Sequence, residues 1–244
     1  MASKSLPQHP AAMASHHSHD AASPPWPPPK SQMGGRDGLG AYLVAPETLS
    51  ARDVIFHTPS FVAIWDLYPK ATVHALLLPR SPQHTRLHPF EAFADATLLA
   101  ETRSAAARLK KLVAAELGRR VGGGGDIRSE TLGDNDDIDD VGRDWEAEVR
   151  VGVHAHPSMN HLHVHVLSRD MHSRLLRHRK HYNSFNTPFF VDLDDLPLAP
   201  DDARRFESYL RRDFVCWRCG RGFGSRFTQL KEHLEEEFEE WRRE

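Results

Sequence analysis

Cysteine is scarce in this chain, with two thiols, Cys216 and Cys219, among 244 residues. A pair so close cannot staple a secreted scaffold, and the C-x2-C spacing suits a metal pair in a reducing compartment. No apolar run approaches the ~18 residues a membrane span needs, and the N-terminus lacks an apolar signal core. Bilayer-spanning and disulfide-framework classes are thereby excluded, and a soluble intracellular protein is expected. Net charge is small, −3, but it is segregated. Residues 126–148 hold ten acids against Arg128 and Arg143, so the remainder is net positive. Positive charge gathers at 169–180, with Arg169, Arg174, Arg177, Arg179 and Lys180, and at 204–226, with seven arginines. Basic faces on a near-neutral chain suit a phosphate backbone.

What the chain does have is organised in blocks. Residues 1–36 are rich in Pro, Ser, His and Ala without periodicity, and a disordered tail is expected there. The runs DVIFHTPSFVAIWDLYP and ATVHALLLPR, parted by YPK, predict a β-hairpin. Residues 89–118 are Ala- and Leu-rich at helical spacing, opened by Pro89 and closed by Gly118, and predict one long helix. A Gly-rich and acidic stretch, about 121–147, reads as a loop insertion. AEVRVGVHA and HLHVHVLS predict two more strands, and a further helix is expected near 200–212. The fold class is therefore α+β, with a main domain over 37–199 and a small module over 200–244.

The chemistry concentrates in NHLHVHVLSRD, where His161, His163 and His165 alternate with Leu162, Val164 and Val166. Successive strand residues face opposite ways, so the histidines share one face and the aliphatic residues the other. Zinc ligation is one use for such a face. Phosphorus chemistry is another, with one imidazole as nucleophile and its neighbours donating to phosphate oxygens. Ser158 at the turn and His154 on the adjoining segment favour the second use, as phosphate holder and proton donor. At the C-terminus, Cys216-x2-Cys219-x13-His233 begins like a two-cysteine, two-histidine finger, with Phe223, Phe227 and Leu230 as a small core. The expected last histidine is replaced by Glu237, one helical turn past His233, with Glu236 or water as alternatives. Six glutamates on that segment would repel a major groove, so sequence-specific readout is not expected.

The run His161-Leu162-His163-Val164-His165-Val166-Leu167 resembles the signature of the histidine-triad superfamily of nucleotide hydrolases and transferases. WDLYPKATVHALLLPR resembles that family's hairpin. GVHAHPSMNHLHVHVLSRD, KHYNSFNTPFF and CWRCGRGFGSRFTQLKEHL are similar to the aprataxin family, its fungal forms in particular, over roughly 37–244. The resemblance implies an antiparallel sheet with flanking helices and removal of AMP from 5′-adenylated DNA ends. It makes His163 the nucleophile, His165 and Ser158 stabilisers of the transferring phosphate, His161 an orienting group and His154 an aid to the departing phosphate. Asp66 would bind ribose hydroxyls; Lys70 and the basic segment Arg177 to His181, with Lys180, are candidates for the DNA backbone on their charge. The resemblance also implies a structural zinc on Cys216, Cys219, His233 and Glu237, and no metal at the chemical step. Partners implied are adenylated nicks or breaks and RNA–DNA junctions, in the nucleus. An aromatic wedge at the DNA end is implied too, with Trp65 and Tyr42 considered for it. A small-nucleotide hydrolase or phosphoramidase, and a non-catalytic finger adaptor, are the competing readings.

Overall fold

β-Branched and aromatic runs bounded by turn residues form strands here, and a computed structural model describes residues 35–122 and 143–244. The polar tail up to residue 34 and most of the acidic insertion fall outside the described residues. Helix α1 (Gly40–Val44) leads to β1 (Val54–His57), β2 (Phe61–Trp65) and β3 (His74–Pro79). Then come α2 (Pro89–Ala92), α3 (Ala96–Val121), β4 (Val149–His154) and β5 (Val164–Ser168). After α4 (Arg179–Asn183) and β6 (Phe190–Asp192), a small sheet of β7 (Phe214–Val215) and β8 (Gly222–Gly224) precedes α5 (Phe227–Trp241). The main sheet has six strands in the order β1-β2-β3-β5-β4-β6, each neighbouring pair antiparallel. The chain is thus α+β, with an antiparallel sheet, flanking helices and a small C-terminal module. Among the described residues no helix is long and apolar enough to cross a membrane.

Three sequence expectations are corrected. The hairpin expected between the two β-rich runs forms, as β2 and β3, but the first run is itself a further hairpin, β1 and β2, because Thr58 turns the chain: its Oγ1 accepts from Phe61 N–H at 3.0 Å. The helix expected from residue 89 is split. Asp95 takes an extended backbone and accepts from Thr97 N–H and Leu98 N–H, which caps a new helix rather than continuing the old one. The helix expected near 200–212 is two 3-10 turns, Ala203–Arg205 and Tyr209–Arg211. There Asp202 accepts from Arg204 N–H, and the Arg205 guanidinium donates to the Leu198 and Ala199 carbonyls. These local bonds compete with a continuous helical ladder.

The sheet's alternation sets where everything else sits. Ala75 and Leu77 of β3 and Val164 and Val166 of β5 face α3, whose Leu109, Val113 and Leu117 are fully buried against them. Each such side chain contributes about 1.5–3 kcal/mol of burial. On the other face Leu76 and Leu78 join Leu39 and Tyr42 beneath α1. Also there, Leu167 joins Tyr182, Phe185, Phe190 and the finger residues Phe214, Cys216, Phe223 and Leu230. The finger therefore shares a core with the sheet, where the sequence suggested an independent core of its own. The histidines of β5 fall between these two covers.

Candidate active site and metal centre

His161 and His163 precede the first laddered residue of β5, Val164, yet the alternation carries through them. Leu162 points into the α3 core while His161, His163 and His165 lie on the opposite face, each about nineteen-twentieths buried, at 6%, 6% and 5% exposure. His163 and His165 meet edge to face with ring centroids 4.9 Å apart. His154, at the end of β4, closes against His165 with centroids at 4.3 Å. His161 lies tight on Gly40, where a Cβ would come within 2.9 Å of its ring. A side chain at position 40 would have to displace that imidazole, and glycine leaves it in place.

The hydrogen bonds determine which ring nitrogens carry protons. His163 Nδ1 lies 2.7 Å from the His161 carbonyl oxygen, an obligate acceptor, so Nδ1 is the N–H and Nε2 keeps its lone pair. The orienting group at position 161 is thus a backbone carbonyl rather than the imidazole. His74, which sequence reasoning missed, lies at the start of β3 and is 3% exposed. Its Nδ1 accepts from Lys70 N–H at 3.2 Å, so its Nε2–H donates to His165 Nδ1 at 3.0 Å. His165 is left with its proton on Nε2, an atom with no partner among the described residues. His154 Nε2 is likewise buried without a partner. Two buried, partnerless imidazole nitrogens beside a free lone pair make a site shaped for an anion with several acceptor oxygens. The available signal for His74 was one polar residue inside the apolar run of β3.

Burial dominates the electrostatics. It pushes His74 down to about 4 and His163 below the usual imidazole range, and holds His154 and His165 well below it. The rings are therefore neutral at pH 7, as a nitrogen nucleophile requires. Unfolded histidines take up protons below about pH 6.5, whereas the buried His74 takes one only near pH 4. Stability is then complete above pH 6.5 and falls as pH drops toward 4. The linkage from His74 alone is about 3 kcal/mol. Denaturant midpoints at pH 7.5, 6.5 and 5 should fall in that order, and a flat series would contradict the neutral, buried assignment.

The remaining candidate residues divide. Asp66 faces the site through His74, its Oδ2 lying 3.4 Å from His74 Nδ1, while its Oδ1 accepts from Tyr68 N–H at 2.7 Å. Lys70 is half-buried, its ammonium on the Tyr68 carbonyl, and burial lowers its pKa against the pull of Asp66. Ser158 is exposed on the β4–β5 connection, and its hydroxyl makes no hydrogen bond among the described residues. Arg177 is exposed just before α4 and Lys180 is exposed within it. Tyr42, considered as a wedge, is in the core at 6% exposure. A cleft of about 310 Å³ opens beside His163 and is lined by Arg36, Arg86, His88, His156 and His161. Arg36, Arg86 and His156 were not anticipated. Asp170 was also missed; its buried carboxylate accepts from Thr72 N–H, Thr72 Oγ1 and His172 N–H, securing the loop after Lys70.

In the C-terminal module, ligand atoms of Cys216, Cys219, His233 and Glu237 all lie within 4.8 Å of one another. His233 Nε2 is 3.1 Å from Cys219 Sγ and 3.0 Å from Glu237 Oε1. Arg218 holds Glu237 Oε2 at 2.5 Å, which turns Oε1 toward the cluster. Glu236 lies instead by His233 Nδ1, at 3.8 Å. Two thiols, an imidazole and a carboxylate converging this closely fit a four-coordinate zinc ion.

This geometry defines a class, and comparison with known proteins agrees. The HIT domain family model matches residues 48–172, and a C2HE / C2H2 / C2HC zinc-binding finger model matches residues 186–240. Relatives called aprataxin-like protein are among the matches. The one from Schizosaccharomyces pombe is 35% identical over 84% of this chain and 82% of its own length. The one from Saccharomyces cerevisiae is 36% identical over 84% and 97%. A crystal structure of the aprataxin ortholog Hnt3 from Schizosaccharomyces pombe superposes with a TM-score of 0.69 at 33% identity, over 86% of this chain and 96% of that one. A structure of Hnt3 in complex with DNA and guanosine gives 0.69 at 32%, over 84% and 96%. The chain belongs to the HIT-domain family, in its aprataxin-like branch.

Proposed function

We propose that this chain is a DNA 5′-adenylate hydrolase that clears AMP from abortive ligation ends in the nucleus. The observation that carries the reading is the proton assignment at His163, whose Nδ1 is committed to the His161 carbonyl so that Nε2 is free to attack. The relatives' complexes with DNA support the choice of substrate. Nε2 attacks the AMP phosphorus, the bond to the DNA 5′-phosphate oxygen breaks, and an adenylyl-histidine forms. His165 Nε2–H and the Ser158 hydroxyl stabilise charge on the transferring oxygens. His154 is neutral on its own, but the incoming pyrophosphate raises its proton affinity and makes it the donor to the departing end. Water then attacks the phosphoramidate, releasing AMP and neutral His163. Asp66 holds the ribose hydroxyls. The polynucleotide side lies along the cleft of Arg36, Arg86 and His156, with Lys70, Arg177 and Lys180 on its backbone.

No step needs a metal in this scheme, because imidazole N–H groups occupy the places where a cation would stabilise charge. A zinc ion on Cys216, Cys219, His233 and Glu237 would be closed by four protein ligands and would serve the fold. Nicked duplexes and RNA–DNA junctions both present the adenylated 5′ end this site requires.

The test compares a 5′-adenylated nicked duplex with a diadenosine polyphosphate at rising salt. The ratio kcat/KM for the duplex should fall steeply, because phosphate contacts release counterions, while the small substrate responds weakly. Equal salt dependence for both would favour a small-nucleotide hydrolase with the same chemistry at His163. Arg36→Gln combined with Arg86→Gln should flatten the duplex slope by about 2 and leave the small substrate unchanged.

A further inference from the structure

The segment from α4 to β6 touches both the metal centre and the histidines. Tyr182, 1% exposed, donates its hydroxyl proton to the Val215 carbonyl at 2.8 Å and accepts from Trp217 N–H at 2.9 Å. Those two groups flank Cys216, so one hydroxyl spans the loop that presents the first zinc ligand. Asn183 ties the same turn to the approach of the finger, donating to the Leu210 and Arg212 carbonyls at 3.2 and 2.8 Å. Three residues after Tyr182, Phe185 is packed against three imidazoles. Its ring lies edge to face with His74 at 5.4 Å and with His165 at 5.1 Å, and 4.7 Å from His154. Phe185 N–H donates to the Tyr182 carbonyl at 3.1 Å, and its own carbonyl accepts from Arg150 of β4 at 2.5 Å. Phe190 completes the wall, 5.7 Å from Phe185 and 6.5 Å from His165.

From this continuity we infer that Tyr182 and Phe185 are positioning residues that link zinc occupancy at Cys216 to the alignment of His74, His154 and His165. The inference rests on the reading of His163 and His165 as reacting groups. The zinc ligands would hold the 215–217 backbone, that backbone fixes the Tyr182 hydroxyl, and Tyr182 sets the turn that carries Phe185. A phenyl ring in contact with three imidazoles restricts their rotation, and small misplacements of reacting groups are costly in rate. The coupling needs no contact between zinc and substrate.

Tyr182→Phe in the full-length zinc-loaded protein is the test, since it removes one oxygen and preserves the buried ring. Expected are one zinc per chain, a kcat on a small adenylate lower by about tenfold with KM little changed, and mixed Nδ1/Nε2 tautomers of His165 in long-range ¹H–¹⁵N spectra. Wild-type kcat and a wild-type imidazole spectrum in that variant would overturn the link. If Tyr182→Phe loses zinc, Phe185→Leu decides, because it leaves the bonds around Cys216 in place. It should retain zinc and shift the His74 and His165 ring signals, and unshifted signals would overturn the inference. In the wild type, stripping zinc with a chelator should move the same ring signals, and unmoved signals would likewise overturn it. The spectra and zinc content need no turnover, so a wild type inactive on every adenylate would sink the functional reading and leave the linkage readable.

Discussion

His163→Ala is expected to lower AMP release from adenylated DNA by at least about 10³-fold, with DNA binding and folding largely retained. The motive is the free lone pair on Nε2, which the adjacent His165 does not duplicate: His165 Nδ1 is engaged by His74, and its Nε2 bears a proton. Truncation leaves a cavity in a polar face rather than in the α3 core, so the sheet's apolar packing is spared. A short reaction of wild type with radiolabelled adenylate, quenched in base, should yield a labelled protein that the variant does not. Turnover near wild type in the variant would refute the nucleophile assignment. His74→Ala should behave differently, since it removes the donor that sets the His165 tautomer: kcat should fall while the labelled intermediate still forms.

Cys216→Ser is expected to have the second large effect, and a broader one than an isolated finger would predict. Cys216 is 2% exposed and belongs to the cluster that includes Leu167, Tyr182, Phe185 and Phe190. Metal binding supplies folding energy in modules this small, and here the apolar surface stabilised by the finger includes part of the sheet. Zinc content should fall toward zero and Tm by on the order of 10 °C, about 1 kcal/mol moving Tm by roughly 2–4 °C in a domain of this size. Hydrolysis of a small adenylate should fall along with that of DNA, because the shared core abuts the histidines. Glu237→Gln should cost less, since the carboxylate is the weakest of the four ligands for zinc and Arg218 already orients that side chain. Full zinc stoichiometry in Cys216→Ser would show that the metal sits elsewhere.

Period-2 alternation in residues 160–167 and the C-x2-C…His spacing were legible because each is a local pattern whose geometry follows from the backbone alone. Glu237 was legible for the same reason: one helical turn from His233 returns a side chain to the same face. His74 was not, because a lone histidine in an apolar strand reads as a satisfied core residue until the β3–β5 register sets it beside His165. Phe185 and Tyr182 entered only within KHYNSFNTPFF, a segment quoted for its resemblance, with no role of their own. Their significance depends on contacts with residues 20 to 111 positions away in sequence, which no local pattern reports. The break at Asp95 was missed because a capping bond depends on which backbone N–H groups are left free.

By itself, then, the sequence determined the facing of its strands and the chemical vocabulary: one aliphatic and one histidine face, a finger with a carboxylate one helical turn past its histidine, and basic stretches separated from an acidic one. Tertiary structure alone decided the proton positions. These follow from the His161 carbonyl meeting His163 Nδ1 and from Lys70 N–H meeting His74 Nδ1, contacts made only when the loops are folded back on the sheet. It also decided that the finger and the sheet share one core, because the faces of Leu167 and Phe190 left uncovered by α3 are covered by residues of the finger and its approach. Alternation along a strand says which way a side chain points; what it meets there is set by the element packed against it.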